Sequence, residues 1–367
     1  MSKGRILYLS RHKALACFMI VFLHTITLSV ESFKGEPALS KLLVSVRTLT
    51  IWAVPCFVMA TGALLLDENR ELGLKKLFSK LILRVVLALV IYTFLFKCFD
   101  ALLIDKDFDL GQVLDFTWVS VLYSFSWKHM WYLYLLIAIY LMMPAYRAVT
   151  KNIDRKTILY LMGLMFVFLS VLPFMHEIFK SDMGSIVSNI SGDDSYSEIG
   201  APDLRIVIYV SKVFPLFLFA GYAVNKGLLK IPFTVALSGA VSCAGATVLL
   251  LQWSILGDKP VLYKEIVSSY SFPLLVIGTV CLFSLFRNSK GKEIKVLDRL
   301  CAEIEKCSFG VFILHMAMLR YIFAVQGFNA YEHGGVLAVF GIAVGTFTVT
   351  VIVVRLLKYI PYVRALV

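Results

Sequence analysis

Charge is what this sequence has least of. Asp, Glu, Lys and Arg make up 16% of its 367 residues, against roughly a quarter in soluble domains. That deficit excludes an ordinary soluble globule. Cysteine occurs at Cys17, Cys56, Cys98, Cys243, Cys281, Cys301 and Cys307, never as a CxxC pair and never at ligand spacing from a histidine. Neither a disulfide framework nor a structural zinc site is expected, and no metal is assigned. An internal repeat is missing too, and with it the inverted-repeat signature of many transporters. The first apolar run, Ala14 to Val30, lacks a small-residue cleavage site and is followed by further runs, so it does not read as a cleavable signal peptide.

What is there is hydrophobic length. Apolar residues account for 59% of the chain, and runs long enough to cross a bilayer recur from end to end. Backbone exposed to lipid has no water to bond, so each run is expected to be a helix. The expected spans are 14–30, 42–66, 81–99, 129–146, 157–175, 205–224, 231–252, 266–286, 307–323 and 335–354. The fold class is therefore all-α and polytopic, about ten transmembrane helices in a single domain over 1–367. The even count puts both termini on one side. Loops on that side carry Arg11 and Lys13, Lys75, Lys76 and Lys80, Arg147 and Lys151, Lys226 and Lys230, and Arg355 and Lys358; the opposite loops carry Glu31, Glu36, Asp100 to Asp115 and Asp193 to Asp203. This asymmetry makes both termini cytoplasmic. It also accounts for the net charge of +12 without a nucleic-acid partner; membrane lipid is the expected surroundings.

Two outer connections are long. Asp100 to Lys128 mixes acids with Trp118, Tyr123 and Trp127, which predicts a helix lying at the outer interface. Residues 176–204 form a polar loop. Either is a solvated connector or part of an acceptor site.

Ionisable groups inside spans carry the functional signal, because each is costly in lipid. His24 follows Arg11-His12-Lys13 by about eleven residues, or about 16 Å of helix, which places its imidazole near the middle of the bilayer. A neutral imidazole there can take a proton from an attacking hydroxyl and return it to a leaving group; the alternative is a histidine bonded between helices. His315, about eight residues into the ninth span, can assist, orient a substrate or bond a neighbouring helix. Arg84 opens the third span and either snorkels to the interface or holds a phosphate. His129 and Trp131 mark the outer end of the fourth span, as an aromatic belt or on the acceptor side. Pro55 and Gly62, inside the second span, allow a kink and close helix approach.

Four segments in order carry a resemblance. Leu9-Ser10-Arg11-His12-Lys13-Ala14 leads to His24; Val54-Pro55-Cys56-Phe57-Val58-Met59-Ala60-Thr61-Gly62 leads to Leu66; His129-Met130-Trp131-Tyr132-Leu133-Tyr134 leads to Tyr140 and Pro144; and Ser308-Phe309-Gly310 leads to His315. Together they resemble the acyltransferase-3 superfamily of membrane acyltransferases, and within it the bacterial branch that O-acetylates surface polysaccharides. The family's acid falls on Ser10 and its arginine on Lys13, which offers a point charge in place of a planar fork.

The resemblance implies an O-acyltransferase of a bacterial plasma membrane. Its donor would be acyl-CoA, acetyl-CoA above all, with no tightly bound cofactor. Its acceptor would be a glycan or lipid-linked sugar at the outer side. His24 would be the catalytic base, with His315 a second catalytic or substrate-binding histidine. Arg11, Lys13 and Arg84 would receive CoA, and His129 and Trp131 would face the acceptor. Some members carry an appended hydrolase-like domain; with Val367 soon after the tenth span, the membrane domain is expected to act alone or with a separate partner. The alternative reading is a transporter or flippase of lipid-linked glycan.

Overall fold

The structure is a computed structural model that describes residues 7–123, 126–179, 212–288 and 294–367. The described residues contain no strand and include nine helical runs long and apolar enough to cross a membrane. In chain order the helices are α1 (Leu7–Ser29), α2 (Pro37–Thr48), α3 (Ala53–Leu65), α4 (Leu83–Phe99), α5 (Leu110–Tyr123), α6 (Trp131–Thr150), α7 (Arg155–Phe166), α8 (Phe214–Lys226), α9 (Phe233–Leu256), α10 (Pro260–Ser268), α11 (Pro273–Asn288), α12 (Lys295–Arg320) and α13 (Gly335–Leu357). The chain is an all-helical polytopic membrane protein. The sixth expected span survives as α8; its first residues, 205–211, and nearly all of the polar loop 176–204 lie outside the described residues.

Contacts between helix ends sort the loops of the described residues into two faces, as alternating crossings require. On the basic face, Tyr8 Oη donates to Asn225 Oδ1 at 2.5 Å, Lys226 pairs with Asp67 at 3.0 Å, and Asn288 Nδ2 donates to the Ile231 carbonyl at 2.8 Å. Arg147 closes the end of α3 by donating to the carbonyls of Leu65 and Arg70, which satisfies acceptors that a helix terminus leaves over. On the opposite face, Tyr331 Oη donates to Glu36 at 2.9 Å and Arg320 pairs with Asp100 at 2.8 Å.

Two spans expected to be continuous are broken. The second runs as α2 and α3 with turns between Leu49 and Trp52. Pro55 has no N–H to give the Ile51 carbonyl, and its ring clashes with that carbonyl in a straight helix. Thr48 and Thr50 turn their hydroxyls onto the carbonyls of Val44 and Arg47. The eighth span breaks in the same way between α10 and α11, where Pro273 opens α11 after Ser269 to Phe272. Irregular backbone at this depth is tolerated where it is buried or lines a cavity, and both breaks do so.

The outer helix expected between Asp100 and Lys128 exists as α5, but it packs along α4 and is not detached from the bundle. Lys97 Nζ lies 4.0 Å from the Phe116 ring centroid, and Thr93 Oγ1 donates to Ser126 at 3.0 Å. Folding back in this way carries the turn that holds His129 into the bundle. At the centre, α1 packs against α3, α12 and α13, while α3 and α8 touch through Gly62 and Gly221. Large apolar side chains such as Val241, Leu249 and Leu337 stay exposed on the perimeter, as lipid-facing positions should.

Candidate active site

Three histidines from three distant segments converge. The His24 ring centroid is 5.2 Å from that of His315 and 6.3 Å from that of His129, and the latter two are 5.4 Å apart. His129 and His315 are buried, at 1% and 0% exposure. An internal position excludes the lipid-facing belt as the role of His129. Among the described residues no group of His, Cys, Asp or Glu is arranged to hold a metal ion.

Two of the three tautomers follow from their partners. A carbonyl accepts and never donates, so the ring nitrogen that meets one must carry the proton. His129 Nε2 donates to the Ile313 carbonyl at 3.1 Å, and His315 Nδ1 donates to the Val311 carbonyl, one turn earlier in its own helix, at 2.9 Å. The remaining nitrogens, His129 Nδ1 and His315 Nε2, are buried without a partner among the described residues. In the neutral rings these are acceptors. His24 makes no hydrogen bond to a described residue, so the central imidazole is not committed to either tautomer.

The shell around His129 is aromatic and pinned from outside. Trp127 stacks on Phe96 at 4.1 Å between centroids, and its indole N–H donates to Asp100 Oδ2 at 2.8 Å. Arg320 pairs with the other oxygen of Asp100 and lies over the Trp127 ring. This arrangement fixes the turn before α6 and so the depth of His129.

On the basic side a cavity of about 140 Å³ leads inward. Lys13, Ser308 and Phe309 line one end; Tyr132, Leu136 and Phe312 line the other. Phe312 touches His129, with centroids 5.6 Å apart, so the cavity ends against the histidine cluster. Arg84 borders it, with its guanidinium carbon 4.6 Å from the Phe309 centroid and Nη2 donating to the Val367 main-chain oxygen at 3.1 Å. Arg11 does not line it. Its guanidinium makes a two-pronged pair with Asp298, Nε to Oδ1 at 2.6 Å and Nη2 to Oδ2 at 3.0 Å.

Ser10 and Lys13 meet on one carboxylate. Ser10 Oγ donates to Glu305 Oε2 at 2.5 Å and Lys13 Nζ to Glu305 Oε1 at 3.1 Å. Glu305 of α12 thus holds the lysine at the cavity mouth.

A second, larger cavity of about 490 Å³ opens on the opposite face. Trp131 lines it with Phe214 and Tyr270, whose rings lie 5.8 and 5.3 Å from its own, together with Glu177, Lys264 and Glu265. Sequence reasoning singled out Trp131 but not its ring partners, which come from the start of α8 and from the α10–α11 break. It also missed Arg47, an ionised side chain inside the second span that bonds Thr27, one turn from His24, at 2.9 Å. The signal was the one that found His24: a charge where lipid would make it costly.

An all-helical membrane bundle with a histidine-lined centre and a cavity on either side defines a polytopic membrane protein with an internal polar site. A family model described as an acyltransferase domain, Acyl_transf_3, matches residues 6–355, and the chain belongs to this acyltransferase-3 family. It is a membrane acyltransferase. No curated protein and no solved structure matches the chain.

Proposed function

We propose that the protein transfers an acyl group, acetyl in the simplest case, from cytoplasmic acyl-CoA to a hydroxyl of a cell-surface or lipid-linked glycan, with His24 as general base. The observation that carries this reading is the cavity that begins at Lys13 and ends against the histidine cluster. CoA has phosphates at one end and a narrow thioester arm at the other; a lysine at the mouth and an apolar passage behind it suit that shape. Arg84 stands near enough to add a second phosphate contact, whereas Arg11, committed to Asp298, braces α12 against α1.

In this scheme His24 takes the proton of the acceptor hydroxyl as its oxygen attacks the thioester carbonyl. The tetrahedral intermediate then collapses, the carbon–sulfur bond breaks, and His24 returns the proton to the departing thiolate. His315 Nε2, an unpaired acceptor beside His24, is the group that would take up the other N–H and share the imidazolium charge. The acceptor arrives from the opposite face through the cavity at Trp131, where aromatic rings and carboxylates offer stacking and hydrogen bonds to a sugar. A bacterial plasma membrane is the setting that supplies both substrates.

The deciding measurement is release of free CoA from acetyl-CoA by purified protein in lipid nanodiscs. Release that depends on added glycan acceptor supports the reading. Tight donor binding with no release under any acceptor, while glycan crosses the membrane, would replace it with the transporter reading. Lys13→Ala should raise the KM for acyl-CoA by about 10- to 100-fold with kcat little changed. One hydrogen bond between charged groups is worth about 1.5–3 kcal/mol, and a phosphate contact remote from the reacting atoms acts equally on ground and transition states.

A further inference from the structure

Arg47 is a cation that the transfer scheme leaves unused. It lies in the last turn of α2, at the break in the second span. Nε donates to Thr27 Oγ1 at 2.9 Å, and Nη1 donates to the Val267 carbonyl at 3.0 Å, an acceptor left over where α10 ends. Among the described residues no carboxylate lies within ion-pair distance of Arg47, and its Nη2 makes no hydrogen bond. Two neutral acceptors do not balance a charge held in apolar surroundings.

Arg47 does not itself line a cavity, but Thr48, its neighbour, and Ile266, next to the Val267 that it bonds, stand on the wall of a crevice of about 330 Å³ that continues past Trp52, Val241, Ala244 and Gly278. It is apolar throughout, since the hydroxyls of Thr247 and Thr279 on its walls are spent on their own helices. The crevice follows α11 from Phe272 at the break to Leu285, about 20 Å along the axis. On one side it opens to the perimeter, where Leu237 and Val241 are 45% and 63% exposed. A groove that opens into hydrocarbon is reached by lipid and not by solutes in water. Its volume, at the low end for ligand sites, takes one chain. The α10–α11 break borders both spaces: Phe272 lines the crevice, and Ser269, Tyr270 and Ser271 just before it line the Trp131 cavity.

We propose that this crevice and Arg47 form a site for a single-chain lipid phosphate: the chain lies between α9 and α11, the phosphate pairs with the open edge of Arg47, and the head group enters the Trp131 cavity. As the acceptor's site this rests on the acyl-transfer reading; as a lipid-phosphate site it does not. The acyl acceptor is then a phosphate-linked glycolipid drawn sideways from the bilayer, and not a free polysaccharide.

The test uses the whole protein, delipidated in a neutral maltoside detergent, with binding followed by native mass spectrometry. The probes are hexadecyl phosphate, hexadecanol, inorganic phosphate and phosphatidylglycerol. Hexadecyl phosphate should bind at least about 10-fold more tightly than hexadecanol, and inorganic phosphate should not bind. Arg47→Gln should erase the preference for the phosphate, and Arg47→Lys should keep most of it. Ala244→Trp, which fills the crevice from its wall, should weaken hexadecyl phosphate at least about 10-fold, so the proposal stays testable even if Arg47→Gln does not fold; thermal unfolding on the same samples shows which variants are folded. Equal binding of alcohol and phosphate to the unmodified protein, or full binding by Ala244→Trp, overturns the proposal. So does phosphatidylglycerol binding as tightly as hexadecyl phosphate, which would make the crevice a seat for bulk phospholipid. None of these readouts needs acyl transfer, so this proposal and the enzymatic one fail separately.

Discussion

His24→Ala should lower acceptor-dependent CoA release by at least about a thousandfold and leave the protein folded in the membrane. A positioned general base contributes about 10²- to 10⁴-fold, and here the same side chain must also return its proton to the thiolate, so both halves of the transfer lose their catalyst. Folding should survive because His24 is a poor structural element. It is not fully buried and makes no hydrogen bond to a described residue, so its removal strands no buried partner. His24→Gln fills the same volume without a base and should be equally inactive, which separates chemistry from packing. His129→Ala differs in kind: it removes a buried hydrogen bond to the Ile313 carbonyl, about 0.5–1.5 kcal/mol, and leaves a void in the aromatic shell, so it should cost stability as well as rate. The measurement is CoA release alongside thermal unfolding of each variant in nanodiscs. A His24→Ala protein that still turns over would show that the cluster organises the interior without performing the reaction.

The histidine cluster also shows what the sequence holds and what it does not. That the chain crosses the membrane many times was legible because lipid forces the backbone into helices and sorts the loop charges by side. His24 was legible because a titratable group in a run of Phe, Leu and Ile needs a reason. Its partners were half legible. His129 sits among Trp127, Trp131 and Tyr132 at a span end, where an aromatic belt looks the same in sequence; only the fold-back of α5 carries it inside. Arg11 looked like part of a phosphate doorway, and nothing local announces Asp298, 287 residues on, as its partner. Glu305 likewise gives no sign in sequence that Ser10 and Lys13 both bond it. The two helix breaks were within reach. Pro55 and Pro273 each remove a helical N–H in the middle of an apolar run, but an apolar run of that length reads as one helix until the proline is counted against it. Arg47 was within reach for the same reason as His24 and was hidden by its position near the expected start of a span.

The contact between α3 and α8 carries the largest expected effect on stability. A Cβ placed on Gly62 would lie 1.9 Å from the carbonyl oxygen of Leu218, and one on Gly221 would lie 1.9 Å from that of Met59. Both obstacles are backbone, which no side-chain rotation removes. Even alanine therefore requires the helices to part by more than about 1 Å, and close packing of small residues is what holds helices together where lipid gives no hydrophobic drive. Overpacking costs about 1–3 kcal/mol where side chains are free to yield; here it should reach about 3 kcal/mol or more, a large share of a stability of about 5–15 kcal/mol. Gly62→Ala and Gly221→Ala should each lower the unfolding midpoint and the yield of monodisperse protein, and Gly62→Val should abolish folding. Gly245→Ala is the control: nothing lies within 4 Å of its Cβ position on the exposed side of α9, so helix propensity alone predicts an equal or higher midpoint. The function should follow the packing, because α3 lines the inner cavity with Phe57 and Thr61 while α8 contributes Phe214 to the outer one. A Gly62→Ala protein that unfolds at the temperature of the unmodified chain would mean the two helices stand further apart, and the walls of both cavities with them.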